Sequence, residues 1–130
     1  REALDWKDLK ICELTAVGER TLLVLERSSE TCKIYRIELR DDLRTPSSHF
    51  DIETSPTIEE LSASGQLELP LLTKELLFTS DEHREVAADI EGMTLLSDRS
   101  LLLVSDNDYG VEEKRTCFYR LVFDEPFATV

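Results

Sequence analysis

Two acidic clusters are the residues best able to do chemistry in this chain. Asp106-Asn107-Asp108 follows one apolar run, and Asp89-Ile90-Glu91 opens the run before it. If the two runs pair as a hairpin, the start of the first lies beside the end of the second, which brings Glu91 near Asp106 or Asp108. Carboxylates without basic partners repel one another, so they need a cation or raised pKa values. The clusters therefore predict a metal site at Glu91, Asp106 and Asp108, and Ca²⁺ is the hard cation that prefers oxygen ligands.

A structural interpretation of the same residues stays open. An Asx turn at the exit of a strand accounts for Asp106 and Asn107 without any ligand. The spacing also departs from the EF-hand loop, since the sixth residue from Asp106 is Val111 and the twelfth is Cys117. The sequence does not choose between a turn and a functional site.

Glu26 and Arg27 form a second candidate polar site, because they follow another apolar run, Leu22 to Leu25. An arginine at the end of a buried strand could bind an anionic group through its planar guanidinium. The alternative is a structural ion pair with Glu26 or with a neighbouring sheet. Neither alternative assigns a catalytic role to a particular residue.

Composition excludes several functions. The formal net charge is −13, from 28 acidic and 15 basic residues, which argues against nucleic acid and anionic membrane surfaces as partners. No apolar stretch approaches the roughly 18 residues that span a membrane. With only four glycines, no P-loop, dinucleotide fingerprint or nucleophile elbow can be written.

Cysteine spacing points to no metal knuckle. Cys12, Cys32 and Cys117 are far apart and each lies within an apolar run, which predicts buried, unreactive thiols. Their disulfide state stays open. The chain starts at Arg1 without an initiator Met or a signal-peptide pattern, so we expect that further sequence precedes it.

An internal repeat is the main architectural signal. Ile11 to Leu25 resembles Ile90 to Val104, 79 residues later, without a gap. Each copy predicts a strand, a tight polar turn, a buried apolar strand, a loop and an alternating third strand near the outside of a sheet. Repeated antiparallel meanders are typical of β-propeller blades. A small β-sandwich is the alternative.

The predicted fold is all-β, a partial β-propeller of about two antiparallel blade units. The first unit covers 10–39, the second covers 74–123, and a Pro- and Ser-rich insertion with a helical turn at Ile58 to Leu61 covers 40–73. A propeller needs about 4 to 8 blades to close. We therefore expect further blades of the same protein, or other chains, as partners.

Several short motifs in this order resemble the C-terminal half of the phytase-like β-propeller family, known for an esterase-like activity of phytase. The resemblance covers about residues 11–123. The motifs that carry it are Leu22-Leu23-Val24-Leu25-Glu26-Arg27, Ile34-Tyr35-Arg36-Ile37, Lys74-Glu75-Leu76-Leu77, Ile90-Glu91-Gly92-Met93 and Ser105-Asp106-Asn107-Asp108-Tyr109-Gly110.

The resemblance implies a secreted or periplasmic propeller that hydrolyses phosphate or other esters with Ca²⁺. It places the recurrent polar positions of the family at Glu26, Arg27, Glu91, Asp106, Asn107 and Asp108. Asn107 joins the candidate polar site on this ground alone. A non-catalytic propeller that binds a partner or acts as a scaffold is the other open function, because the fold hosts both.

Overall fold

The computed structural model describes residues 8–50 and 56–128, which form two antiparallel sheets. In chain order, sheet 1 contains β1 (Lys10–Ala16), β2 (Thr21–Arg27), β3 (Cys32–Glu38) and β4 (Lys74–Thr79). Sheet 2 contains β5 (Ile90–Ser97), β6 (Ser100–Ser105) and β7 (Phe118–Val122). Between β3 and β4, the described residues form two 3₁₀ turns, Asp41–Leu43 and Ser47–Phe50, and a short α-helix, α1 (Ile58–Ala63). A capping box of Thr57 and Glu60 opens α1.

The two sheets repeat the same strand register. In sheet 1, Leu14 pairs with Val24, and in sheet 2 Met93 pairs with Leu103, both 79 residues later. The register of each first pair shifts at a β-bulge, just after Ile11 in β1 and just after Ile90 in β5. The sequence repeat is therefore a structural repeat that includes this bulge, although the β5–β6 pair has a second shift, between Leu95 and Ser97, that the β1–β2 pair lacks.

The core lies between the two sheets, which pack face to face. We call the surfaces that meet there the inner faces. β2 and β6, which lie next to β1 and β5, carry deeply buried residues. Alternate side chains of each apolar run point to the same face of the sheet. The inner-face residues with no exposed surface are Leu23, Leu25, Cys32, Ile34, Ile90, Leu101 and Leu103.

Both sheets also carry apolar residues on the surfaces that point away from this core, which we call the outer faces. In sheet 1, register places Ile11, Leu14, Val24, Tyr35 and Leu76 there. In sheet 2, the corresponding surface carries Leu102, Val104, Phe118 and Val122. Ile11, Leu14, Leu76, Phe118 and Val122 are exposed.

These observations confirm the predicted fold class, an all-β partial β-propeller of two antiparallel sheets. The described residues contain no closed barrel. The helical turn predicted at Ile58 to Leu61 is confirmed as the first part of α1. The division of the chain into domains at 10–39, 40–73 and 74–123 stays a prediction.

The strand at Lys74–Thr79 lies in a different sheet from the predicted one. The sequence pattern predicts this strand as part of the second unit, whereas β4 pairs antiparallel with β3 of sheet 1. This pairing satisfies the backbone donors and acceptors of β3, which otherwise would form a sheet edge. The predicted third strands lie toward the outside of their sheets: β7 is an edge strand of sheet 2, and β3 lies next to the edge strand β4 of sheet 1.

We expect Leu103→Ala to lower the free energy of unfolding by about 2–5 kcal/mol, because it removes a fully buried side chain from between the sheets. Leu71→Ala is the matched control: Leu71 is 85% exposed, so its loss should change stability by less than about 0.5 kcal/mol. Urea unfolding followed by circular dichroism measures both. Equal effects of the two variants would contradict the assigned core.

Candidate functional site

The two β-bulges lie at the same rim of the paired sheets. Cys12 is the bulge residue of β1 and Glu91 that of β5, and Arg27 ends β2 beside them. We call this edge, together with the loop Asp106–Asp108 after β6, the Arg27 rim. It contains five of the six residues that sequence analysis selected.

Arg27 joins the two sheets at this rim. Its guanidinium donates a hydrogen bond to the Glu91 carboxylate of sheet 2, and its side chain is only 15% exposed. Burial by itself would lower the pKa of Arg27, but its contacts with Cys12 and Glu91 outweigh burial and raise it. The buried Nε of Arg27 has no hydrogen-bond partner among the described residues, so one donor of the fork is unsatisfied.

Cys12 is a member of this site that sequence analysis missed. Its thiol lies against Arg27 and Glu91, and burial raises its pKa above the ordinary value. A protonated thiol is a weak nucleophile, so no reactive role is assigned to Cys12, and its side chain packs beside the ion pair. The repeat held the signal: Cys12 and Glu91 occupy equivalent positions in the two copies.

The Asp106–Asp108 loop folds back on itself. The Asp106 carboxylate accepts hydrogen bonds from the backbone N–H of Asn107 at 2.7 Å and of Asp108 at 3.2 Å. The predicted Asx turn is therefore present. Three consecutive residues, Asp108, Tyr109 and Gly110, have positive φ angles of 46°, 58° and 75°, a left-handed conformation that tyrosine rarely adopts.

Asp108 has a basic partner in its own loop. Lys114 donates a hydrogen bond to its carboxylate, and this contact holds the pKa of Asp108 below its usual value. The charge of Arg27 lowers the pKa further, although less than Lys114 does. Each of the two carboxylates Glu91 and Asp108 is thus paired with a basic side chain.

The carboxylates therefore do not gather in the way the sequence predicted. Glu91 contacts Arg27, whereas Asp106 is engaged with its own backbone and Asp108 with Lys114. Within residues 8–50 and 56–128, no group of three or more His, Cys, Asp or Glu side chains lies close enough to hold a metal ion. Glu91, Asp106 and Asp108 would have to exchange these contacts before they could hold Ca²⁺ together.

Glu26 is separated from the rest of the candidate site. It points to the outer face of sheet 1, where its carboxylate accepts a hydrogen bond from Lys74 Nζ at 2.6 Å. The same ammonium lies 4.4 Å from the centre of the Tyr35 ring. Glu26 is buried there, so its carboxylate neutralises Lys74 on a surface that also carries Lys33.

The opposite rim carries an open cavity of about 490 Å³. Three arginines and the Asp41 carboxylate contribute to its lining, and Arg20 and Arg44 both form ion pairs with Asp41. Because the arginines are neutralised at the surface by aspartates, the cavity has little excess positive charge. It shares no residue with the Arg27 rim.

The thiols follow the prediction only in part. All three cysteines are free, and Cys32 is fully buried, where its Sγ donates a weak hydrogen bond to the Ala87 carbonyl at 3.5 Å. Cys117 is exposed, so the prediction of a buried thiol is wrong there. It precedes β7, at the open edge of sheet 2.

The fold and the Arg27 rim define a class: two blade-like sheets of a partial β-propeller, joined at one rim by an arginine–carboxylate pair. A family comparison agrees with this class. The profile of the Phytase-like family, described as the esterase-like activity of phytase, matches residues 2–109. The chain belongs to the phytase-like family.

The comparison with curated proteins gave no match, and neither did the comparison with solved structures. No helix in the described part of the chain is long and apolar enough to cross a membrane.

We expect Lys114→Gln to raise the pKa of Asp108 toward the ordinary aspartate value near 3.9, because the largest cause of its lowering is removed. A lowered folded-state pKa contributes stability above the unfolded pKa, and this contribution is lost as pH falls through the folded pKa. The variant should therefore lose less stability on acidification. NMR titration of the Asp108 carboxyl measures the shift.

Arg20→Gln serves as the control at the opposite rim. It should raise the pKa of Asp41, whose lowering is caused chiefly by the Arg20 hydrogen bond, and leave Asp108 unchanged. If Asp108 titrates alike in the parent chain and in Lys114→Gln, the ion pair does not exist in solution.

Proposed function

We propose that this chain contributes the Arg27 rim to an esterase-like hydrolase that acts on phosphate or other anionic esters. The observation that carries the proposal is the state of Arg27. Its guanidinium is largely buried at the junction of the two sheets, keeps an unsatisfied Nε, and faces a carboxylate that is 40% exposed. A planar fork of donors suits phosphate and carboxylate groups alike.

In this proposal Glu91 competes with the substrate for Arg27. The carboxylate occupies the guanidinium in the free protein and moves toward solvent when an anionic group takes its place. Since Arg27 is fixed by its strand and by burial, the exchange costs little reorganisation of the arginine itself. Asp106 and Asn107 lie on the loop after β6, where the Asp106 N–H donates to the Asp89 carbonyl at 3.0 Å, and no catalytic role is assigned to either.

Calcium dependence and a secreted or periplasmic location belong to the proposal as predictions from the resemblance. Ca²⁺ binding at this rim would require Glu91 to leave Arg27 and Asp108 to leave Lys114. No step of hydrolysis is assigned to the metal, because the carboxylates as placed do not form its site.

A second candidate is a non-catalytic propeller domain that binds a partner or acts as a scaffold. The pairing of Glu91 with Arg27 and of Asp108 with Lys114 favours it. Ion pairs that neutralise one another stabilise the junction of two sheets without any ligand. Under this function Arg27 is a structural residue.

We expect Arg27→Gln to lower kcat/KM for para-nitrophenyl phosphate by about 10- to 100-fold, since a hydrogen bond to a charged group contributes about 1.5–3 kcal/mol. Arg27→Lys keeps the charge but loses the fork, so it should recover only part of the activity. Para-nitrophenyl acetate tests the acyl-ester alternative in the same assay. Arg20→Gln, at the opposite rim, should retain full activity.

Two results would contradict the enzyme proposal. One is a folded full-length protein that hydrolyses neither ester, with or without Ca²⁺, which favours the scaffold function. The other is unchanged hydrolysis in Arg27→Gln, which places any activity elsewhere.

We expect millimolar Ca²⁺ to raise the melting temperature of the parent chain by a small amount, because binding must first break two ion pairs and any ligand of the native state stabilises it. Removal of Ca²⁺ with a chelator should reverse the shift. Asp106→Asn should weaken the effect, whereas Asp41→Asn at the opposite rim should preserve it. If the melting temperature is the same with and without Ca²⁺, the proposed function does not include calcium.

A further inference from the structure

The interface between the two sheets joins surfaces that are not equivalent in the repeat. Leu23 and Leu25 lie on the inner face of sheet 1, but their counterparts 79 residues later, Leu102 and Val104, lie outside the core on sheet 2. The repeat therefore stacks head to tail, with one face of each unit against the opposite face of the next.

The converse holds for the residues of sheet 2 that enter the core. Met93 and Leu103 are buried between the sheets, and their counterparts in sheet 1 are Leu14 and Val24 on the outer face. In the repeat, the outer face of sheet 1 is thus equivalent to the inner face of sheet 2. The outer face of sheet 2 is equivalent to the inner face of sheet 1. These two inner faces pack on each other within the chain.

We propose that two copies of this chain associate head to tail, the outer face of sheet 1 of one copy docking on the outer face of sheet 2 of the other. The intrachain interface then continues from sheet 2 of one copy to sheet 1 of the next. A second copy fits both outer faces, since these faces are the repeat equivalents of the two inner faces that already pack on each other.

The exposed side chains have the character that such a contact needs. Leu14 is 55% exposed and Val122 is 69% exposed, and each has exposed apolar neighbours on its own sheet, Ile11 and Leu76 in sheet 1 and Phe118 in sheet 2. The outer face of sheet 1 also carries Lys33, opposite Glu26, and its charges are paired as Glu26–Lys74 and Lys33–Asp81. On the outer face of sheet 2 the exposed Arg120 lies between Phe118 and Val122, and its repeat counterpart Arg36 lies on the inner face of sheet 1. Exposed apolar surface around such a residue marks an interaction site.

The repeat also predicts the polar contacts of this interface. Within the chain, Thr15 Oγ1 donates to the Met93 carbonyl at 3.4 Å. Its equivalent between copies joins Thr94 of one copy to the Leu14 carbonyl of the other. At the rim, the equivalent of the Arg27–Glu91 pair is Asp106 against Cys12, which cannot form an ion pair. We therefore expect the contact between copies to be weaker than the contact between the sheets of one copy.

Salt separates this apolar contact from one built on ion pairs. Each copy has a formal net charge of −13, so two copies repel one another at low ionic strength. Added salt screens the repulsion, and association should become tighter. An interface held by ion pairs between copies would weaken instead.

The test is a complementation between two variants, each with one blocked face. Leu14→Asp blocks the outer face of sheet 1, and Val122→Asp blocks that of sheet 2. Sedimentation equilibrium of the parent chain should show association, and each variant alone should associate at least about tenfold more weakly, which corresponds to about 1.4 kcal/mol. An equimolar mixture of the two variants should form a one-to-one dimer, because each retains the face that the other lacks.

Leu71→Asp is the control, because Leu71 is exposed but lies on neither outer face, and it should associate like the parent chain. Circular dichroism and urea unfolding establish that the variants are folded. The proposal is overturned if the parent chain stays monomeric into the upper micromolar range. It is also overturned if either blocked variant associates with itself as the parent does, or if the mixture stays monomeric.

Discussion

The structure depends on one constraint: β2 in sheet 1 and β6 in sheet 2 are apolar on both of their faces. A sheet of this kind must be covered on two sides, since each uncovered face leaves apolar surface in water. The two sheets cover each other's inner faces, and the outer face of each sheet points away from the core. Stacking without an end is the natural solution for such units, and a β-propeller achieves it by closing the stack into a ring.

The same constraint explains why the candidate site lies where two sheets meet. Register is fixed where the two faces of a strand differ: in β5, a slip of one residue would replace the buried Met93 with the exposed Thr94. A bulge at Cys12 and another at Glu91 therefore hold constant positions relative to the core. Arg27, at the end of a strand whose inner face is buried, reaches the neighbouring bulge. A polar junction thus rests on apolar packing a few residues below it.

The sequence predicted the local features well, because they depend on neighbouring residues. The buried runs at Leu22 to Leu25 and Leu101 to Val104, the turns and the start of α1 follow from periodicity, turn chemistry and capping. The placement of β4 was wrong, since no local pattern specifies the partner of a strand across a long insertion. Burial of Cys117 was wrong because β7 lies at the open edge of sheet 2, which only the strand order reveals.

The candidate site shows the same division between local and long-range information. Hairpin geometry brings the two acidic clusters to one rim, which predicts that Glu91 contacts other carboxylates. In the structure, Glu91 instead contacts Arg27 of the other sheet, and Asp108 contacts Lys114 of its own loop. Opposite charges within contact distance outweigh like charges farther apart. Any ligand of this rim, anion or cation, therefore competes with an ion pair, and the Arg27–Glu91 contact sets how readily the rim can bind.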